Sequence, residues 1–229
     1  MKNPIKTENP RSDARIRSGF TLIEVLTVIA IISILMTAGA IGLGNISAGK
    51  GTSSGIATCE SLFDEARVIA VSKRCKARVM VKVDDPADTD YLQRVVVVHE
   101  EIDSTGNPVA NSWVLSSRGY IMPKGVFFSQ KYSKDANGNA LDTFTLTGSK
   151  TDFNGEYIYY EFNAEGISSD PGASFVIAAG ARGKGQEPKT TSGERDFAGF
   201  VIWRNGRTST YRNPGQIPGV DAHPVNTTF

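Results

Sequence analysis

Histidine and cysteine are nearly missing from this chain, which has two of each in 229 residues. His99 and His223 stand far apart, and neither has a cysteine at ligand spacing. That excludes a zinc site or a Ser-His-Asp arrangement built on them. His99 follows the β-prone run 95–98 and reads as a strand residue at a surface. Nothing else points to catalysis, so the chain reads as a non-enzyme with no cofactor. Cys59 and Cys75 fit a disulfide poorly. If residues 56–73 are helical, Cys59 lies more than ~20 Å from the helix end, whereas a bridge needs Cα atoms within ~7 Å. Cys59 also falls on an apolar helical stripe and reads as a small core residue.

Net charge is scarce as well, at +1 overall. The first 19 residues hold Lys2, Lys6, Arg11, Arg15 and Arg17 against Glu8 and Asp13, a net of +3. Taking these from the 25 basic and 24 acidic residues of the chain leaves 20 against 22, or −2. Such a balance argues against a strongly electrostatic nucleic-acid binder, although a local basic patch is still open.

Charge is scarcest between Phe20 and Leu43, where Glu24 is the one ionisable side chain. As a helix these 24 residues would be roughly 36 Å long, enough to cross a ~30 Å hydrocarbon layer. The basic leader before them belongs in the cytoplasm and the bulk of the chain on the other side. A carboxylate near one end of such a segment is costly unless a cation meets it. A cut after Gly19 supplies one, because Phe20 then carries a free ammonium four residues from Glu24 on the same helical face. The same amine could reach Glu24 of a neighbouring copy.

Gly19-Phe20-Thr21-Leu22-Ile23-Glu24 resembles the processing site of type IV prepilins and of the pseudopilins of type II secretion. The resemblance implies removal of residues 1–19 by a prepilin peptidase, N-methylation of Phe20, and assembly into a filament by packing N-terminal helices of other such subunits. It implies a single-pass protein of the bacterial inner membrane with its head in the periplasm or in a filament.

Five segments follow from this reading: leader 1–19, membrane and filament-core helix 20–43, Gly/Ser-rich linker or bent helix 44–55, amphipathic helix 56–74, and β-rich head 75–229. Gly39, Gly42, Gly44, Gly49 and Gly51 make the junction a weak point, since each glycine in a helix interior costs ~1 kcal/mol relative to alanine. Residues 44–51 miss the phosphate-binding-loop pattern, because Gly51 stands where Ser or Thr is needed and no strand precedes Gly44. Helical periodicity returns with Ile56, Cys59, Leu62, Phe63, Ala66, Ile69 and Ala70 on one stripe. From Val79 onward the chain is a series of short β-prone runs, at 79–83, 95–99, 113–115, 126–128, 144–146, 157–162, 175–179, 200–204 and 208–212. Asn205-Gly206 suits a type I′ hairpin. The expected fold is α+β, a long helix packed on antiparallel sheet. Many strands and a late Asn-Gly-Arg hairpin resemble the minor pseudopilin of the H class and its pilus counterpart, though insertions at Asp84–Arg94 and Arg182–Asp196 depart from that pattern.

Two surface sets remain. Asp135, Asn137, Asn139 and Asp142 form an oxygen-rich run, as do Asp84, Asp85, Asp88 and Asp90. Neither has the spacing of a calcium loop, so solvated turns are the favoured reading and calcium the weaker one. Arg182, Lys184, Arg204, Arg207 and Arg212 lie in a basic stretch with Trp203 and Tyr211, which offers a DNA-binding head as an alternative to arginines lying over their own sheet. A third alternative is a membrane-tethered β domain that never assembles. The head's expected contacts are neighbouring subunits or exported cargo.

Overall fold

The computed structural model describes residues 22–116, 118–147, 153–189 and 197–220, with the side chains of 34 and 36–50 left out. It is an α+β protein. Helix α1, Leu22–Lys73, is assigned without a break through the glycine-rich stretch 44–55, where a linker or bend was expected. The chain divides into two units, Met1–Leu43 and Gly44–Phe229.

In the second unit the strands are β1 Ala77–Lys82, β2 Arg94–Ile102, β3 Pro108–Leu115, β4 Tyr120–Ile121, β5 Val126–Phe128, β6 Thr143–Leu146, β7 Gly155–Phe162, β8 Ser174–Ala179, β9 Phe197–Ile202 and β10 Thr208–Thr210. One sheet has the order β3-β2-β1-β7-β6, with β4 also on β2, and the other the order β10-β9-β8-β5. Every pairing is antiparallel.

Alternation along the strands decides which face each residue takes. Val79, Val81, Val95, Val97, Ile158 and Tyr160 turn to one side of the larger sheet and join the core built on the helix stripe Ile56, Cys59, Leu62, Phe63, Ala66 and Ala70. Phe63 is the hub: its ring lies 5.1 Å from Tyr160 and 6.2 Å from Phe162 of the larger sheet. It also lies 5.4 Å from Phe175 and 5.0 Å from Phe200 of the smaller one. Edge-on rings at these spacings satisfy the aromatic quadrupole. Met80, Val96, Val98, Trp113, Leu146 and Tyr157 turn to the opposite face and form a second cluster. Burial on both faces explains why β1 and β2 read as nearly unbroken apolar runs.

Two expectations are corrected here. The 203–207 hairpin is not a two-residue type I′ turn, because of Asn205 and Gly206 only Gly206 has a positive φ, 72°. Trp203 N–H donates to the Arg207 carbonyl and Gly206 N–H to the Trp203 carbonyl, so the loop is the three residues 204–206 closed by a left-handed glycine. His99 is buried, at 7 % exposure, rather than at the surface. Its Nδ1 lies 2.7 Å from the Glu100 carbonyl.

Gly51 and Gly55 also serve a purpose other than flexibility. A Cβ on Gly55 would sit 3.1 Å from Ile177 Cδ1, and one on Gly51 would sit 3.2 Å from Val126 Cγ2. These glycines let the helix approach the β5–β8 region closely.

Candidate functional site

Gly19 and Phe20 lie outside the described residues. Glu24 occupies the first turn of α1, and its carbonyl accepts a hydrogen bond from the Thr27 hydroxyl at 2.9 Å. A carboxylate there complements the positive end of the helix dipole. Around it, Leu22, Ile23, Val25, Leu26, Val28, Ile29, Ile31, Ile32 and Leu35 are all exposed, by 45–80 %. An apolar residue at nearly every position of a helix leaves no polar face to turn toward water. Among the described residues no helix is long and apolar enough to cross a membrane. The second half of the expected span lies beyond the described side chains.

The five basic residues are not brought together. Antiparallel pairing of β8 with β9 places the loop after Ala179, with Arg182 and Lys184, at one end of the smaller sheet. The hairpin bearing Arg204 and Arg207 stands at the other end, and Arg212 returns toward the first after β10. Arg182 is also engaged: its guanidinium donates to the carbonyls of Tyr91, Asp88 and Thr89 at 3.3, 2.8 and 3.1 Å. It therefore ties one of the two insertions to the other. Lys184, Arg204, Arg207 and Arg212 are exposed.

The oxygen-rich run is a turn that satisfies itself. The Asp135 carboxylate accepts the backbone N–H of Asn137 at 2.9 Å and of Asn139 at 2.6 Å, and the Asn139 side-chain amide at 3.2 Å. Asp103 and Asn163 close turns by the same pattern, onto residues two and four further on. Asn137 and Asn139 thus serve the turn, while Asp135 and Asp142 also line a cavity with Glu161 and Asp170. Burial, then the nearby Asp135 and Asp142 charges, raise the Asp170 carboxyl above its ordinary range. No group of three or more acidic, histidine or cysteine side chains able to hold a metal occurs among the described residues.

In the other acidic run, cations from the flanking strands take up the charge. Lys82 Nζ meets Asp88 at 2.6 Å and Asp90 at 3.2 Å, and Arg94 Nε meets the second Asp90 oxygen. Burial pushes Asp90 up, but the hydrogen bonds from Arg94 and Lys82 outweigh it and hold the carboxyl below its usual range. Cys59 and Cys75 are both free and buried. Burial, and then the neighbouring Glu60, push the Cys59 thiol far above its ordinary value.

One arrangement escaped the sequence reading. Arg78, from the middle strand β1, lies 4.0 Å from the ring centroids of Trp113 and Tyr159 and 5.0 Å from that of Phe144. Its guanidinium also meets Glu161 at 2.7 and 2.8 Å. A charged residue inside an apolar strand was the available signal, but its ring partners come from three other strands.

Residues 14–40 match the family model described as the prokaryotic N-terminal methylation motif, so the chain carries that motif. It includes Gly19, Phe20 and Glu24. Among solved structures, the type IV minor pilin FimU of Pseudomonas aeruginosa is similar at 13 % identity and a TM-score of 0.39, over 74 % of this chain and 93 % of that one. So loose a superposition assigns no property to this chain. No curated protein matches.

Proposed function

We propose that this protein is a subunit of a type IV pilus-like filament, and that its place is that of a minor pseudopilin or minor pilin. The observation that carries the reading is the helix from Leu22 to Leu35, apolar on all sides and exposed, at the end where the methylation motif lies. Such a surface needs a lipid layer or other apolar helices around it. In this reading a prepilin peptidase cuts between Gly19 and Phe20, and Phe20 is N-methylated. The segment 20–43 then rests in the inner membrane until it packs beside helices of other subunits, with the head outside. Glu24 neutralises the new amino terminus, of its own chain or of a neighbour, and so sets the axial register.

Glu24→Ala tests this in a strain that assembles the filament. The variant should insert into the membrane as the native chain does and be depleted from sheared filaments. Normal incorporation would refute the pairing. Intact mass of the membrane form tests the processing step separately, since an uncut chain would leave only a tethered head.

A further inference from the structure

The larger sheet ends in two strands that face each other. β3 and β6 are the outer members of the order β3-β2-β1-β7-β6. Yet Trp113 of β3 and Phe144 of β6 lie 6.1 Å apart, ring to ring, over Arg78 of the middle strand. The sheet therefore curls enough to bring side chains of its two edge strands together. Between them is a cavity of about 370 Å³, lined by Glu101, Asn111, Ser112, Trp113, Val114, Phe144, Leu146 and Thr147.

The backbone groups along both edges point into this seam. Val83 N–H donates to the Glu156 carbonyl, so Glu156 turns toward β1. Its partner across the ladder is Thr145. Thr145 is therefore in a non-hydrogen-bonded pair, and its N–H and C=O face away from β7, as do those of Thr143. On the other side, Glu100 N–H donates to the Lys76 carbonyl and Ser116 N–H to the Val97 carbonyl. Glu100 and Val98 thus face β1, and their partners Trp113 and Leu115 turn their amides outward. Beside Trp113 the register jumps from Glu100↔Trp113 to Glu101↔Val109, and Asn111 is held at a φ of 63° in the bulge. Strained edge bulges of this kind occur beside binding sites, although they also serve to end pairing.

Strand direction fixes what fits. β1 is antiparallel to β2 and β7, which are antiparallel to β3 and β6, so β3 and β6 run the same way. One strand running opposite to both would pair antiparallel on each side and close the sheet with no parallel ladder. Among the described residues Glu101 is the one charged side chain lining the cavity, at the end beside Asn111 and Ser112. An occupant antiparallel to β3 brings its C-terminal end there.

We propose that the β3–β6 seam docks one extended polypeptide segment of a partner protein, antiparallel to both edges. Its apolar side chains face Trp113 and Phe144, and a lysine or arginine at its C-terminal end meets Glu101. Main-chain hydrogen bonds supply the affinity, and alternate side chains the selectivity.

The probe is the capped peptide Val-Thr-Val-Thr-Val-Lys, added to the full chain in detergent and read by hydrogen exchange at single amides. Outward amides exchange freely without a partner, so the expected result is about tenfold slower exchange at Thr145 and Leu115. The reversed peptide, with lysine first, should protect less, and Glu101→Gln should erase that difference. Thr145→Pro removes only an outward N–H, a position where an edge strand tolerates proline. It should weaken binding about tenfold at an unchanged melting temperature. Unprotected Thr145 and Leu115 amides in the native chain at saturating peptide would overturn the proposal, leaving Pro108 and the bulge as devices that merely guard an edge. Equal binding by a folded Thr145→Pro chain would overturn it too.

Discussion

Replacing Phe63 by alanine should come close to uncoupling the helix from the head. The ring is fully buried and meets four other aromatic rings, two from each sheet, at 5.0–6.2 Å. Truncating a buried phenylalanine costs about 3–5 kcal/mol in lost transfer energy and cavity. Each well-oriented aromatic pair is worth about 0.5–1.5 kcal/mol beyond its buried area, although the four share one ring and do not add in full. The upper end of the range, about 5 kcal/mol, is therefore expected, against a typical total stability of about 5–15 kcal/mol. Urea titration of the detergent-solubilised chain, followed by near-ultraviolet circular dichroism, reads this directly, since the same rings supply the signal. Phe63→Leu keeps most of the volume and loses only the edge-on contacts, and should cost about 2 kcal/mol. A loss below about 2 kcal/mol for Phe63→Ala would mean that the helix is held elsewhere and would refute the hub.

Three further outcomes follow from the head. Stability should fall on the acid side as Asp90 titrates: its folded pKa lies below the ordinary 3.8, so its contribution is complete above that value and lost as pH drops through the folded one. Urea midpoints against pH should show this acid limb in the native chain and a flatter one in Asp90→Asn, which should be weaker by about 3 kcal/mol near neutral pH because Lys82 stays buried and Arg94 half-buried. Arg182→Ala removes three hydrogen bonds to the carbonyls of Asp88, Thr89 and Tyr91; limited proteolysis should then cut within 84–93, with the global stability lowered by about 1–3 kcal/mol. Gly55→Ala gains about 1 kcal/mol in helix propensity but places a methyl 3.1 Å from Ile177 Cδ1, with Pro123 and Val126 at 3.6 Å. Overpacking of about 1–3 kcal/mol should win, and a stabilised variant would show that the core yields there.

Local pattern made much of the fold legible. The helix stripe from Ile56 to Ala70 follows the 3.6-residue period, and all its members but the half-buried Ile69 are buried. Nine of the strands stand where β-branched runs and turn residues put them, and only the two-residue β4 left no such trace. Pairing was not legible, because it depends on contacts such as Met80↔Tyr159 between residues far apart in sequence. Gly51 reads as weakness in the sequence, and Gly55 falls in the segment expected as linker or bent helix, since the side chains they make room for belong to β5, β8 and Pro123. The seam was hidden for a related reason: no sequence period reports that a sheet curls. For the basic set, clustering along the chain hid the fact that a hairpin carries Arg204 and Arg207 away from Arg182 and Lys184.

The two ends of α1 make different demands on a partner. Hydrophobic attraction has no direction, and a helix displaying leucine, isoleucine and valine on every side accepts almost any similar helix. On the proposed assembly, Glu24 would narrow that choice only in register, because a single charge tells a neighbour how far to slide and not which neighbour it is. Any filament built from several kinds of such subunits must therefore read identity from the heads. A head whose core is closed by Phe63 and whose inner strands are buried on both faces has little left to offer except its edges. There, backbone groups that point outward in a fixed order, beside one carboxylate, can distinguish a strand of the right direction and charge from the wrong one. Selectivity by this route needs no deep pocket or metal, only two edge strands that run the same way and turn amides outward.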